Sequence, residues 1–288
     1  MVLADYLQLL SYGIILGSIL TLGAIGVSLI FGILGFAHFA HGDLMAVGAY
    51  AALTVVVGLN WPIWAAFPFA LAATAVVSLV IDQTLYRRLR RTAPVILLIS
   101  SFGMALILRS VIQLVWGSQD RVYESGIQLP ILIGGVAIRP NHIIIVGGSI
   151  VLVALLHVFL RHTRMGKAMR AMSDNVDLAR ISGIDTERVI IWTWILGGAL
   201  AAAAGIFLAM ETRLHPTMGW HMLLPIFAAA ILGGIGRPYG AIAGGMVIGI
   251  AQEMSTAFWS PAYKPAIAFG LMVLMLIIRP TGLVGARR

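Results

Sequence analysis

The sequence has no cysteine, so no disulfide framework braces it. It is also poor in charge: only 10% of its 288 residues are Asp, Glu, Lys or Arg. An ordinary soluble domain carries about 25%. This length would suggest about two soluble domains, but so few charges cannot cover two water-soluble bodies. A hydrophobic content of 60% excludes a disordered chain. No G-x-x-x-x-G-K-[ST] occurs, because Gly166-Lys167 lacks the upstream glycine, so no phosphate-cradling loop for ATP is present. There is no H-E-x-x-H either. The apolar start has no positive region before it, and is expected to be a first span rather than a cleavable signal. These absences leave a polytopic, all-α membrane protein.

The net charge is +8. No Lys or Arg precedes Arg87, and most basic residues then fall in three places: Arg87 to Arg91, Arg161 to Arg188, and the C-terminal end. That is the positive-inside distribution of a membrane protein, not a basic face for nucleic acid.

A helix needs about 20 residues to cross roughly 30 Å of hydrocarbon. Apolar runs of that order fall at 7–33, 62–82, 93–115, 142–160, 188–210, 241–259 and 264–280. Two less regular runs, 37–58 and 222–236, bring the expected count to nine, or to eight if one of them re-enters. The arginines orient the spans. Arg87, Arg88, Arg90 and Arg91 are expected in the cytoplasm, as are 161–187 and Arg279, Arg287 and Arg288. The charge-balanced loop 116–140 (Asp120, Arg121, Glu124, Arg139) is then external, and so is the N-terminus.

The chain has 32 glycines, many of them inside spans. Small residues let helix backbones approach closely in lipid, which is the plain reading of any one of them. Two stretches also resemble each other. Ile33-Leu34-Gly35 is followed by Gly42, and Ile231-Leu232-Gly233 by Gly240. Each leads into a span rich in Gly, Ala and Met, as an internal transporter repeat would.

Ionisable residues inside spans cost roughly 2.5–3.5 kcal/mol each on insertion scales, so each needs a partner or water. Asp43, beside His38 and His41, and Glu253, inside 241–259, are candidates for a polar translocation path. Arg109 lies within 93–115. Glu211, Arg213, His215 and His221 mark the outer end of 188–210. Asp82 and Glu211, at span ends, suit structural ion pairs. His38 and His41, three apart, would share one face of a helix and could hold a metal with Asp43, but no Cys or second ligand pair accompanies them. Hydrogen-bonded polar groups fit better there than a metal site.

In the segment 161–187, Met165, Met169, Met172, Val176, Ala179 and Gly183 recur at spacings of four and three. Arg164, Lys167, Arg170, Asp174 and Asp177 fall off that stripe. An amphipathic helical stretch is expected, broken near Ser173-Asp174-Asn175 by N-capping residues. Four acids weaken a lipid-binding role, and the stripe suits a protein partner.

Asp177-Leu-Ala179-x-x-x-Gly183 resembles a degenerate E-A-A-x-x-x-G element of ABC importer permeases, with Asp in place of Glu and Leu in place of the first Ala. Gly35-Phe-Ala-His-Phe-Ala-His41-Gly-Asp-Leu-Met-Ala-Val-Gly-Ala-Tyr50 resembles the A-H-G-[DE] signature of branched-chain amino-acid permeases. Leu232-Gly-Gly-Ile-Gly236 with Gly240-Ala-Ile-Ala-Gly-Gly245 resembles their L-G-G-x-G…G-A-x-x-G-G. Pro280-Thr-Gly-Leu283 with Gly285 resembles their P-T-G-[LI]-x-G. In order and over nearly the whole chain, these match the shorter of that system's two permeases.

The resemblance implies one permease domain over 1–288 in a bacterial inner membrane, with 161–187 as the coupling segment. It implies pairing with a homologous permease (or with itself), two cytoplasmic ATPase subunits that hold ATP and Mg, and a periplasmic or lipid-anchored binding protein. No cofactor is expected in this chain, and no catalytic or metal-binding residue. Met172, Val176, Asp177, Ala179 and Gly183 would couple to the ATPase. His41, Asp43, Gly233, Gly234, Gly236 and Glu253 would line the path, with 233–236 as a broken helix. The cargo would be leucine, isoleucine or valine; relatives carry urea, short amides or aromatic acids. Two other classes stay open: a passive channel, and an intramembrane enzyme that needs His38, His41, Asp43 and Glu253 to converge.

Overall fold

A computed structural model describes residues 3–123 and 129–284. Glu124, Gly285, Arg287 and Arg288 lie outside the described residues. The helices, in order, are α1 (Leu3–Leu34), α2 (His41–Gly58) and α3 (Ile63–Ile81); α3 runs through a π-helical turn, Asp82–Tyr86, into α4 (Arg87–Leu89). Then follow α5 (Pro94–Trp116), a hairpin of β1 (Ile131–Ile133) and β2 (Val136–Ile138), and α6 (Pro140–His162). Two short helices, α7 (Arg164–Asp174) and α8 (Val176–Ile181), precede α9 (Thr186–Glu211). The chain closes with α10 (Met218–Gly233), α11 (Pro238–Ser255), a 3₁₀ turn (Pro261–Tyr263) and α12 (Lys264–Ile278). The protein is an all-α membrane bundle, and among the described residues seven helices are long and apolar enough to cross a bilayer.

Several boundaries follow from local chemistry. α5, α6 and α11 each open with proline in the first turn. Proline's fixed φ suits that position, and the N–H it lacks would have no intrahelical partner there. α1 ends at Gly35, whose φ of +73° is a left-handed conformation that glycine adopts at no steric cost.

The core is organised around α1, which is buried over most of its length. α11 packs antiparallel against it. A Cβ on Gly13 would lie 2.7 Å from the Ile250 backbone, and one on Gly17 would lie 3.1 Å from that of Met246. α9 crosses α2 as closely: Gly205 sits against the Met45 carbonyl, and Gly48 against Ala202. Small residues bring these backbones together because lipid supplies no hydrophobic drive between helices, leaving close packing to do so. The outward faces of α3, α5, α6 and α12 carry exposed Val, Ile, Leu and Phe, as a lipid-facing perimeter requires.

The bundle has two distinct ends. At one, the Gln8 side chain donates to the Ala137 carbonyl (3.1 Å) and accepts from the Ala137 N–H (2.7 Å), joining the start of α1 to the hairpin. At the other lie Arg87 to Arg91, α7, α8 and the tail: the Leu283 N–H reaches the Leu232 carbonyl at 2.9 Å. The two ends of the described chain are therefore on opposite ends of the bundle.

Two expectations about span positions are refined. The run at 241–259 is α11, which begins at Pro238 and stops at Ser255. Glu253 is thus at a helix end, not well inside a span. The short run at 222–236 is α10. It begins inside the bundle, where Gly219 meets Gly42 backbone to backbone, and descends to the arginine end. The non-helical stretch at 212–217, with buried Leu214 bridged to Arg121, leads into it from the end of α9. Beside the seven span-length helices, α10 is a shorter apolar helix of 16 residues.

Candidate functional site

The first candidate surface is the α7–α8 pair. Thr163 caps α7, its hydroxyl accepting from the Gly166 N–H at 2.9 Å. Gly166 lies against the Phe159 carbonyl and the Leu160 backbone, so the chain can turn sharply off the end of α6. Asn175 breaks the segment where expected. It ends α7 and caps α8, its side-chain oxygen accepting from the Leu178 N–H at 2.9 Å. Gly183 (φ +83°) then closes α8. Its N–H reaches the Arg180 carbonyl (3.1 Å), and the Ile184 N–H reaches the Ala179 carbonyl (3.1 Å). That pair of bonds is a Schellman motif. Two residues on, Asp185 caps α9 through the Arg188 N–H at 3.1 Å. The short helices are therefore held firmly between two long ones.

The apolar stripe of this segment turns inward. Met169, Met172 and Ala179 are buried against the bundle, and Met165 and Val176 are partly buried there. An amphipathic helix beside its own hydrophobic core covers its apolar face with that core first. The outward surface belongs to Asp177, Leu178, Arg180 and Ile181; Leu178 is 58% exposed and Ile181 81%. Leu178 and Ile181 are three apart and off the stripe. An apolar pair at i, i+3 on a face otherwise charged was the signal in the sequence for an outward contact.

At the same end, Arg90 joins two elements. It bonds Asp82 at 2.5 Å and Glu187 at 2.8 Å, linking the end of α3 to the start of α9. Asp82 is therefore a structural ion-pair residue, as its position at a span end suggested.

The second candidate is the polar group inside the bundle. Asp43 is fully buried in the first turn of α2. Arg109 of α5 faces it side-on, with Nε 3.1 Å from Oδ1 and Nη2 3.2 Å from Oδ2. The guanidinium also lies over the Trp220 ring, 5.0 Å from its centroid. Neither this pairing nor the role of Trp220 is legible in the sequence, because 66 and 177 residues separate them from Asp43 in the chain. His41 is fully buried against Gly26, where a Cβ would come 2.6 Å from the imidazole Cε1. His38 packs edge-on to Trp194 (5.0 Å) and bonds the Tyr86 hydroxyl (3.0 Å).

The stretch 35–40 between α1 and α2 is non-helical and largely buried. Other helices supply partners to it: the Phe39 N–H donates to the Ser101 hydroxyl at 3.0 Å, and His38 Nε2 bonds the Tyr86 hydroxyl. Irregular backbone at this depth persists only where protein encloses it. The broken helix inside the bundle is thus at 35–40.

The glycines at 233–236 have another place. They form the α10–α11 turn at the arginine end, with Gly234 and Gly236 at φ +108° and +82°. Gly233 and Gly240 meet backbone to backbone. The tail from Pro280 folds over this turn. The Leu283 and Val284 N–H groups donate to the Leu232 and Gly233 carbonyls (2.9 and 3.3 Å), and Arg237 holds the Val284 carbonyl at 2.7 Å. The two glycine-containing motifs are therefore one structural unit, in which the tail satisfies the free carbonyls at the end of α10.

Glu253 is paired with Lys264 at 2.6 Å across the α11–α12 turn. It lines a cavity of about 520 Å³ with Arg139, Glu211 and His221 at the hairpin end. Glu211 is bound by Arg139 at 2.7 Å, the structural pairing expected of it. Arg213 and His215 lie 3.9 Å from Asp120 at that end. Glu253 lies one turn beyond Ile250, which packs on Gly13, while His41 packs on Gly26. Thirteen residues of α1 separate those levels, about 20 Å at 1.5 Å per residue. The structure brings Asp43 and His41 into one region and places Glu253 and 233–236 in two others. His38, His41, Asp43 and Glu253 do not converge as an intramembrane active site would require. Among the described residues, no three His, Asp or Glu side chains gather as a metal site.

Comparison with known proteins agrees with this architecture. Residues 9–276 match the family described as branched-chain amino acid transport system / permease component. The high-affinity branched-chain amino acid transport system permease protein LivH of Escherichia coli is 33% identical, over 97% of this chain and 96% of that protein. BraD of Pseudomonas aeruginosa, described in the same terms, is also 33% identical with the same coverage. Among solved structures, PsaBC from Streptococcus pneumoniae in complex with Fab superposes with a TM-score of 0.53 at 13% identity, covering 97% of each chain. At that identity the likeness is one of fold.

Proposed function

This chain belongs to the branched-chain amino acid transport permease family, and from that premise we propose that it forms one wall of the path for leucine, isoleucine or valine in an ATP-driven importer. It is a multi-pass membrane permease. In this reading it sits in a bacterial inner membrane, with the arginine end and the C-terminus in the cytoplasm and the hairpin end and the N-terminus outside. A homologous second permease completes the path. A periplasmic or lipid-anchored binding protein delivers cargo to the hairpin end, and two ATPase subunits, which hold ATP and Mg, dock at the other.

The observation that carries this reading is the construction of α7 and α8. Three side-chain caps and a Schellman motif order a helix pair with no span of its own, and that pair presents Leu178 and Ile181 outward beside the arginines. Exposed Leu and Ile on a short, rigid, water-facing helix suit a partner's hydrophobic cleft. Closure of the ATPase dimer on ATP would displace this pair as a body. The Asp185 cap and the Arg90–Glu187 bond would pass the motion into α9, and Thr163 would pass it into α6. The path would then switch between inward and outward access, an equilibrium set by differential binding.

The test is ATP hydrolysis by the full complex in proteoliposomes over a panel of leucine, isoleucine, valine, urea, short amides and aromatic acids. Strongest stimulation by the branched-chain amino acids is expected. Stimulation by urea or aromatic acids alone would overturn the cargo assignment, and flux without ATP would overturn the importer.

A further inference from the structure

We propose that Arg109 is the residue in the translocation path that receives the carboxylate of the cargo, a proposal that rests on the reading above of the cargo as a zwitterionic amino acid with an apolar side chain. Of the 19 Lys and Arg residues, Arg109 is the one seated deep in a long apolar helix, seven residues before the end of α5. A guanidinium has five N–H donors. Asp43 engages one edge of it through Nε and Nη2. Trp220 covers one face. Its side chain is still 16% exposed, and among the described residues its hydrogen bonds run through Nε and Nη2, not Nη1. A second edge, formed by Nη1 and Nη2, thus keeps donors free, and a fork of this geometry binds a carboxylate through two parallel bonds.

The surroundings say where that edge looks. On α5, Phe102, Leu106 and Gln113 share the side of the helix that carries Arg109, and all three are exposed. Phe102 is edge-on to Trp220 at 5.7 Å, and Leu224, one turn beyond Trp220 on α10, is exposed too. A charged group with free donors does not face lipid tails; in membrane proteins such groups face a polar cavity or another subunit. The α5–α10 face is therefore the wall turned to the path. A forked cation set among Trp, Phe and Leu matches a ligand with one anionic group and one apolar arm. Asp43 holds the fork in position and offsets its charge when the path is empty.

The test uses the complete complex in proteoliposomes with radiolabelled leucine. Arg109→Lys keeps a cation beside Asp43 but removes the fork. Leucine uptake is expected to fall about tenfold or more, the scale of one lost charge-assisted bond. Subunit recovery and basal ATP hydrolysis should stay at wild-type levels, which a purely structural defect would not allow. The double variant D43N/R109Q removes both charges together, leaves no orphan charge, and should show the same loss; it carries the test if Arg109→Lys does not assemble. Wild-type leucine uptake by either variant overturns the proposal and leaves the cargo reading standing. No leucine uptake by the wild-type complex overturns both.

Discussion

Gly183 is the position where one substitution separates conformation from packing. A Cβ added there meets no atom within 4 Å, so alanine or valine would not clash. The difficulty is φ, which is +83°. A left-handed conformation costs an L-residue about 1–2 kcal/mol, and more if it is β-branched. The Schellman bonds from Gly183 and Ile184 depend on that conformation. α8 has only six residues, too few to persist without its caps. A penalty of 1–2 kcal/mol reduces the population of the closed cap roughly 5- to 30-fold. Gly183→Val should therefore lower recovery of the ATPase subunits with the permease, and ATP-driven uptake with it, while expression and thermal stability of the bundle hold. Gly183→Asn should retain most function, since asparagine tolerates this region. The assay is co-purification alongside uptake for Val, Ala and Asn at this position. Wild-type coupling in Gly183→Val, or equal loss in Val and Asn, would refute the reasoning.

Three further outcomes follow from the packing. Leu178→Glu with Ile181→Glu should abolish ATPase association without changing the melting temperature in detergent, because both side chains project away from the bundle; a lowered melting temperature would mean that they pack inward. Gly219→Val should destabilise the fold by about 1–3 kcal/mol or more, an overpacking cost, because its Cβ would meet the Gly42 backbone directly; thermal unfolding measures it, and an unchanged midpoint would refute the close approach. Asp43→Asn alone should cost about 3–5 kcal/mol by leaving the Arg109 charge unpaired, and D43N/R109Q should recover much of it; equal melting points for the single and double variants would mean that the pair is not coupled.

What the sequence determined by itself is the material that periodicity and composition encode. Apolar run length set the helices, because a bilayer demands about 20 residues per crossing. The distribution of arginine distinguished the two ends of the bundle. Asn175 announced the break between α7 and α8, since a capping side chain acts on a backbone N–H three residues away. Glycine in ordered motifs announced the family. Tertiary structure decided what depends on contacts between distant segments. It paired Asp43 with Arg109 and set Trp220 over the guanidinium. It moved Glu253 to a helix end beside Lys264. It turned Met169, Met172 and Ala179 toward the bundle, leaving Leu178 and Ile181 outside. It also joined the 232–236 turn to the tail at Pro280 as one capped unit. A local pattern records which face of a helix is apolar, but whether that face meets lipid, a partner or its own chain is settled only when the helices pack together.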